Sequence, residues 1–127
     1  MNREAILQRA AHQCDYCRAP EGFSLATVHI EHIIARQHDG SDHDANLALA
    51  CPDCNFLKGP NIASFDPETQ QMVRLFHPRT DRWEDHFRIT ETHIEGMTPI
   101  GRTTVRLLDF NSAARVRQRA LLMRLRE

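Results

Sequence analysis

His29-Ile30-Glu31-His32-Ile33-Ile34 lies between two Cys-x-x-Cys turns, Cys14-Asp15-Tyr16-Cys17 and Cys51-Pro52-Asp53-Cys54, and Asn55 follows the last cysteine directly. These turns use all four cysteines of the chain. Each offers a converging pair of sulfurs, and a tetrahedral zinc ion binds four such donors at about 2.3 Å. A single turn of this kind is also compatible with redox chemistry or with no chemistry at all. Two of them, with no cysteine left over, read as a structural zinc site held by Cys14, Cys17, Cys51 and Cys54. The gap from Cys17 to Cys51 is longer than the ~15 to 20 residues of a plain zinc ribbon. A segment is therefore inserted between the turns, and that insert carries the histidines.

Within the insert, residues 23–34 contain Val28, His29, Ile30 and Glu31 in the alternation of a half-buried strand. With Val28 and Ile30 toward a core, His29 and Glu31 fall on the opposite, accessible face. His32 then points inward with Val28 and Ile30, so bringing Glu31 and His32 to one site requires a break in the strand after Glu31. Residues 36–46 are polar and hold Gly40 and Ser41. Asp39, Asp42 and Asp44 in this stretch do not follow the order of an EF-hand loop and read as solvated loop acids. Residues 46–50, Asn-Leu-Ala-Leu-Ala, read as a short buried strand that delivers the chain to Cys51. Pro52 suits the first turn of a helix, Gly59 its C-terminal cap and Pro60 its stop.

Outward from this centre, Asn2 caps a predicted helix over residues 3–11, with Ile6, Leu7, Ala10 and Ala11 on one face. Residues 60–67, bounded by two prolines, are a candidate linker. Residues 72–76, 87–90 and 92–94 are candidate strands. Thr98 and Pro99 open a helix to about Leu108. Asn111-Ser112 caps a last helix, in which Val116, Leu121, Leu122 and Leu125 supply an apolar side and arginines the rest. Trp83 reads as core or rim. His12, His38, His43, His77, His86 and His93 have no spacing that demands a ligand role, and no internal repeat is present.

A chain of 127 residues fits one domain. Its hydrophobic fraction is ordinary but aromatics are few, so a mostly aliphatic core is expected. The net charge of -1 hides a gradient, because residues 102–127 hold seven arginines against Asp109 and Glu127. Lys58 is the only lysine. Arginine forks suit phosphate contacts, while a solvated helix face explains the same tail equally well. The first 13 residues lack an apolar stretch of signal-peptide length, and no segment approaches the ~20 apolar residues of a membrane span. A cytoplasmic protein is expected, and a reducing compartment suits cysteines that serve as metal ligands.

The compound pattern resembles the HNH endonuclease family, the ββα-metal nucleases. The matching residues are Ile30-Glu31-His32-Ile33-Ile34, Gly40 and Ser41 in the loop, Asn46 through Asn55, and Lys58-Gly59, within residues 14–61. Phe76-His77-Pro78-Arg79, Trp83 and Thr98-Pro99-Ile100-Gly101-Arg102 resemble, more weakly, the small standalone bacterial members. The resemblance implies an α+β fold: a ββα-metal (HNH, His-Me finger) core stapled by the four-cysteine zinc site over residues 1–61. A mixed β/α C-terminal extension over residues 62–127 would pack on it as one domain.

The resemblance also implies roles. His32 would be the general base, Glu31 and Asn55 the ligands of a catalytic divalent metal, and Asn46 the brace of the loop that orients the base. The family's more familiar final histidine is replaced here by Asn55. An amide oxygen is a neutral and harder donor than imidazole, so the pair favours Mg²⁺ or Mn²⁺ over zinc. His29 shares the strand face of Glu31 and is a candidate third ligand or outer partner. Lys58, one helical turn after Asn55, is a candidate phosphate contact or an exposed helix-end lysine. The implied activity is metal-dependent hydrolysis of phosphodiesters in nucleic acid, DNA foremost. The competing reading is a non-catalytic zinc-stapled module that binds nucleic acid or protein, against which the joint retention of Glu31, His32, Asn46 and Asn55 argues.

Overall fold

In a computed structural model, which describes residues 1–22 and 27–126, the Asn2 side chain accepts from Ala5 N at 2.9 Å and opens α1 (Arg3–Arg9). The helix ends short of Ala11 because Ala11 and His12 both turn to left-handed φ values of 55°. Ile6, Leu7 and Ala10 bury against Val28 and Leu49, with Ile30 and Leu47 at the margin.

Those residues belong to one face of a hairpin. β1 (His29–His32) and β2 (Leu47–Ala50) are antiparallel, with His29 opposite Ala50 and His32 opposite Leu47. Expected strand residues 23–26 lie outside the described residues. Asp15 runs along the outer edge of β2: its N–H donates to Leu49 O, and its carboxylate accepts from Leu49 N, both at 2.8 Å. The edge is thereby satisfied without a third strand. α2 (Pro52–Lys58) follows β2 at once and packs on both strands. Pro52 sits in its first turn, where its missing N–H is not needed, and Cys51 Sγ accepts from Cys54 N at 3.4 Å. Gly59, at a φ of 50°, closes it.

Residues 60–67 are not a linker. β3 (Ala63–Phe65) pairs antiparallel with β4 (Met72–Arg74), and Asp66 next to it is fully buried. Its carboxylate caps Glu68 N at 3.0 Å and takes two hydrogen bonds from Arg102, so the stretch is pinned to the body. α3 (Trp83–His86) leads into the hairpin of β5 (Phe87–Thr90) and β6 (His93–Gly96). α4 (Pro99–Leu107), capped by Thr98, lies across β6, β4 and β3. Here the backbones nearly touch: a Cβ on Gly101 would sit 2.1 Å from His86 O. α5 (Ala113–Leu125) is capped by Ser112 as expected, but its leucines do not bury it. Leu121 and Leu125 are exposed, and the buried side chain of the helix is Arg115.

A single apolar cluster joins the cysteine-turn residues Cys14, Tyr16, Cys17 and Cys54, with Ile33, Ala48 and Ala50, to Phe76, Trp83, Phe87, Ile94, Leu108 and Phe110. Aromatics are few and concentrated here, while most of the buried apolar side chains among the described residues are aliphatic, as expected. Phe76 meets Phe87 edge to face at 5.1 Å, and Trp83 Nε1 donates to Tyr16 O at 2.7 Å. The architecture is thus mixed α/β, with small two-stranded sheets around a four-cysteine cluster. Among the described residues no helix is long and apolar enough to cross a membrane.

Candidate active site and zinc centre

The four cysteine sulfurs lie within 4.8 Å of one another, and Cys17 Sγ is 3.7 Å from Cys51 Sγ. A tetrahedron with arms of about 2.3 Å has edges of about 3.8 Å, so the donor set fits zinc. Backbone amides point at the sulfurs: Tyr16 N and Cys17 N toward Cys14 Sγ at 3.4 and 3.5 Å, and Cys54 N toward Cys51 Sγ. Burial pushes the Cys14 and Cys54 thiols up, while hydrogen bonds from neighbouring thiols hold Cys17 and Cys51 down. Four clustered thiolates repel unless a cation sits among them, and a zinc ion held there would supply that charge.

Arg115 reaches the same sulfurs from α5. It donates to Cys54 Sγ at 3.0 Å, approaches Cys51 Sγ at 3.7 Å, and also donates to Leu108 O and Asp109 O. Burial opposes its charge, but the neighbouring Cys54, Cys17 and Cys51 outweigh burial and push its pKa up. This residue was not found by sequence reasoning, which counted it among a solvated or phosphate-seeking series. Arg102 and Arg119 are also turned inward, to Asp66 and to Thr92 O and Phe110 O respectively.

His32 ends β1, and its Nε2 lies 2.7 Å from Asp42 Oδ1. The same carboxylate oxygen accepts from Arg36 Nε and Nη2 at 3.3 and 3.1 Å. Asp42 is thus no bare solvated acid, and these hydrogen bonds, His32 first, hold its carboxyl below the usual range. Two short 3-10 turns, Arg36–His38 and Asp44–Asn46, shape the loop between β1 and β2. Asn46 braces it across its neck: Nδ2 donates to Ile34 O at 2.9 Å and Ser41 O at 2.8 Å, and Oδ1 accepts from Ile34 N at 2.9 Å. Gly40 packs so tightly there that a Cβ would fall 1.7 Å from Ile34 O.

The break assumed after Glu31 is absent, since β1 continues through His32 with Leu47 opposite. Glu31 and His32 accordingly make separate contacts. Glu31 does share a face with His29, but that face is not open at Glu31: the side chain is 7% exposed, accepts from Tyr16 Oη and lies 3.7 Å from Lys58 Nζ. Lys58, expected at an exposed helix end or against phosphate, is 1% exposed and donates to Ile33 O at 2.8 Å. Burial pushes Glu31 up against the pull of Lys58 and Tyr16, and pushes Lys58 down.

Asn55 lies half-buried on α2, one turn before Lys58, and His29 is exposed on β1. A carboxylate has about four lone-pair sites. Tyr16 and Lys58 engage two of them, which leaves the carboxylate further acceptor capacity. Residues 14–61 are matched by the family model described as HNH endonuclease. No curated protein and no solved structure matches the chain. The first cysteine turn, the hairpin with its braced loop, and the helix after Cys51 all fall inside that match, so the likeness to the HNH endonuclease family covers this segment.

Proposed function

We propose that the protein is a metal-dependent endonuclease that hydrolyses DNA phosphodiesters, with His32 as general base and Glu31 and Asn55 holding Mg²⁺ or Mn²⁺. The observation that carries this reading is the setting of His32. Its imidazole is a quarter exposed, anchored on one nitrogen by Asp42, and mounted beside a loop that Asn46 and Gly40 hold rigid within the HNH match.

His32 takes a proton from a water molecule, whose oxygen attacks phosphorus in line. The bond from phosphorus to the leaving oxygen breaks, and that oxygen is protonated from solvent. A divalent ion bound there would supply charge stabilisation to the phosphate and the leaving oxygen. Glu31 on β1 and Asn55 on α2 would hold it, while Cys54 fixes the start of the helix that presents Asn55. The zinc site is structural in this reading, and cysteines that serve as metal ligands suit a reducing cytoplasm. Lys58 is withdrawn from phosphate. The exposed arginines Arg106, Arg117 and Arg124 supply sequence-independent backbone contacts.

Two observations favour a non-catalytic zinc-stapled module: both Glu31 oxygens already have partners in the fold, and β1 runs unbroken through His32, so that alternation turns Glu31 and His32 to opposite faces. Supercoiled plasmid incubated with Mg²⁺, Mn²⁺ or chelator, alongside His32→Ala, separates the two. Cleavage that needs the divalent ion and vanishes in His32→Ala is expected. Wild-type protein that cuts no DNA or RNA under any metal would favour the binding module instead.

A further inference from the structure

The loop that Asn46 braces ends on a side chain, Asp42, whose position is set from several directions. Ser41 O and Ile34 O are drawn to one amide group, Asn46 Nδ2, at 2.8 and 2.9 Å, which fastens the two ends of the loop together. Gly40 N donates to Ala35 O at 3.0 Å, and only a residue without a Cβ fits there. His43 N donates to Ser41 Oγ at 3.2 Å, and the His43 ring caps the following turn by accepting from Ala45 N at 3.1 Å. Asp42 is therefore the residue that a tightly tied segment returns to the end of β1. Arg36, from the start of the same loop, holds its carboxylate from the other side.

A carboxylate is an acceptor only, so the imidazole nitrogen 2.7 Å from Asp42 Oδ1 must be the one that carries hydrogen. In a neutral ring the other nitrogen then keeps its lone pair. We propose that Asp42 is a positioning residue for His32: it fixes the Nε2–H tautomer and the ring orientation, and so leaves Nδ1 as the nitrogen that accepts the proton from water. After that transfer the ring is an imidazolium with both nitrogens protonated, and the same carboxylate faces its charge. Asp42 touches neither water nor phosphate in this role. The loop motif is thereby given a purpose beyond closure, because Asn46 acts on His32 through the placement of Asp42. The proposal rests on the nuclease reading for its kinetic consequence, but the tautomer is a property of the folded protein alone.

The test compares the zinc-loaded full chain with Asp42→Asn, Asp42→Ala and Asp42→Glu. Nitrogen-15 spectra of the histidine rings, recorded at a pH where imidazole is neutral and assigned with His32→Ala, report the tautomer directly. Wild type is expected to show His32 with hydrogen on Nε2, and Asp42→Ala to show the two tautomers mixed. In plasmid cleavage with Mn²⁺, kcat is expected to fall about 10- to 100-fold in Asp42→Asn and Asp42→Ala while KM stays within about twofold. Asp42→Glu should recover part of the loss. A wild-type His32 with hydrogen on Nδ1, or an Asp42→Ala protein with unchanged tautomer, overturns the proposal, as does an unchanged kcat. If the wild type cuts nothing, the nuclease reading fails, and the ring spectra still decide whether Asp42 sets the tautomer.

Discussion

Arg115 donates to Cys54 Sγ at 3.0 Å across 61 residues of sequence, and so ties the last helix to the second cysteine turn. A zinc ion with four thiolates carries net negative charge in an apolar surround, and the nearest guanidinium offsets it. A hydrogen bond to a charged group contributes about 1.5 to 3 kcal/mol. Arg115→Gln should therefore lower folding stability by about 2 kcal/mol and speed the transfer of zinc to a chromophoric chelator at least severalfold. Arg117→Gln, on the exposed side of the same helix, is the control and should change neither. Equal zinc release from all three proteins would show that the contact does nothing for the metal.

Acid stability should report on Asp66. It is fully buried, takes two hydrogen bonds from Arg102 at 3.1 and 2.8 Å, and has its pKa pulled down to about 2, chiefly by Arg102. An unfolded aspartate titrates at about 3.9. Because the folded value is depressed, the stabilisation is fully present above about pH 4 and is lost as pH falls through about 2. Thermal melts of wild type and Asp66→Asn should differ most at pH 5 and above, and converge as pH approaches 2. A gap that stays constant with pH would remove the ion pair from the explanation, leaving shape alone.

What the residues revealed in advance was local. Asn2, Pro52, Gly59, Thr98 and Ser112 mark helix ends by bonds made within a few residues, and the helices begin or end there. The cysteine cluster was legible because its donors are identical and none is spare. Alternation correctly separated Val28 and Ile30 from His29 and Glu31, yet it tells which face a side chain takes, not what lands on that face. α2 lands on it, and converts Glu31 and Lys58 from surface groups into a buried pair. The same limit hid α5: counting apolar positions on a helix cannot foresee a guanidinium that buries against sulfur. Asp42 escaped notice because three aspartates in a polar loop look alike until the loop closes and only one meets a histidine.

The loop brace has a sharp chemical signature. Asn46 donates to two carbonyls and accepts from one amide, so Asn46→Asp keeps the acceptor and the volume but aims a carboxylate oxygen at Ile34 O and Ser41 O. Leaving buried partners unsatisfied costs about 1 to 3 kcal/mol, more when charge is involved. Urea denaturation should show a loss in that range, with zinc content unchanged. Plasmid cleavage should fall further than stability, because the loop carries Asp42. A variant that is destabilised but cuts at the wild-type rate would separate the brace from catalysis.

Glu31 and Lys58 form the buried ion pair at the base of the site, 3.7 Å apart with side chains 7% and 2% exposed. Removing one member of such a pair strands the other, at about 3 to 5 kcal/mol, whereas replacing both with neutral groups of similar size is often close to neutral. Glu31→Gln and Lys58→Met should each destabilise by about 3 kcal/mol, and the double variant by clearly less than their sum. The two singles should part in activity. Lys58→Met, with the carboxylate free to hold a cation, should recover cleavage as Mn²⁺ is raised and should gain stability from Mn²⁺ in thermal melts. Glu31→Gln should gain neither at any Mn²⁺ concentration. If Glu31→Gln cleaves like wild type, position 31 is a structural anion only, and the divalent ion must be held without it.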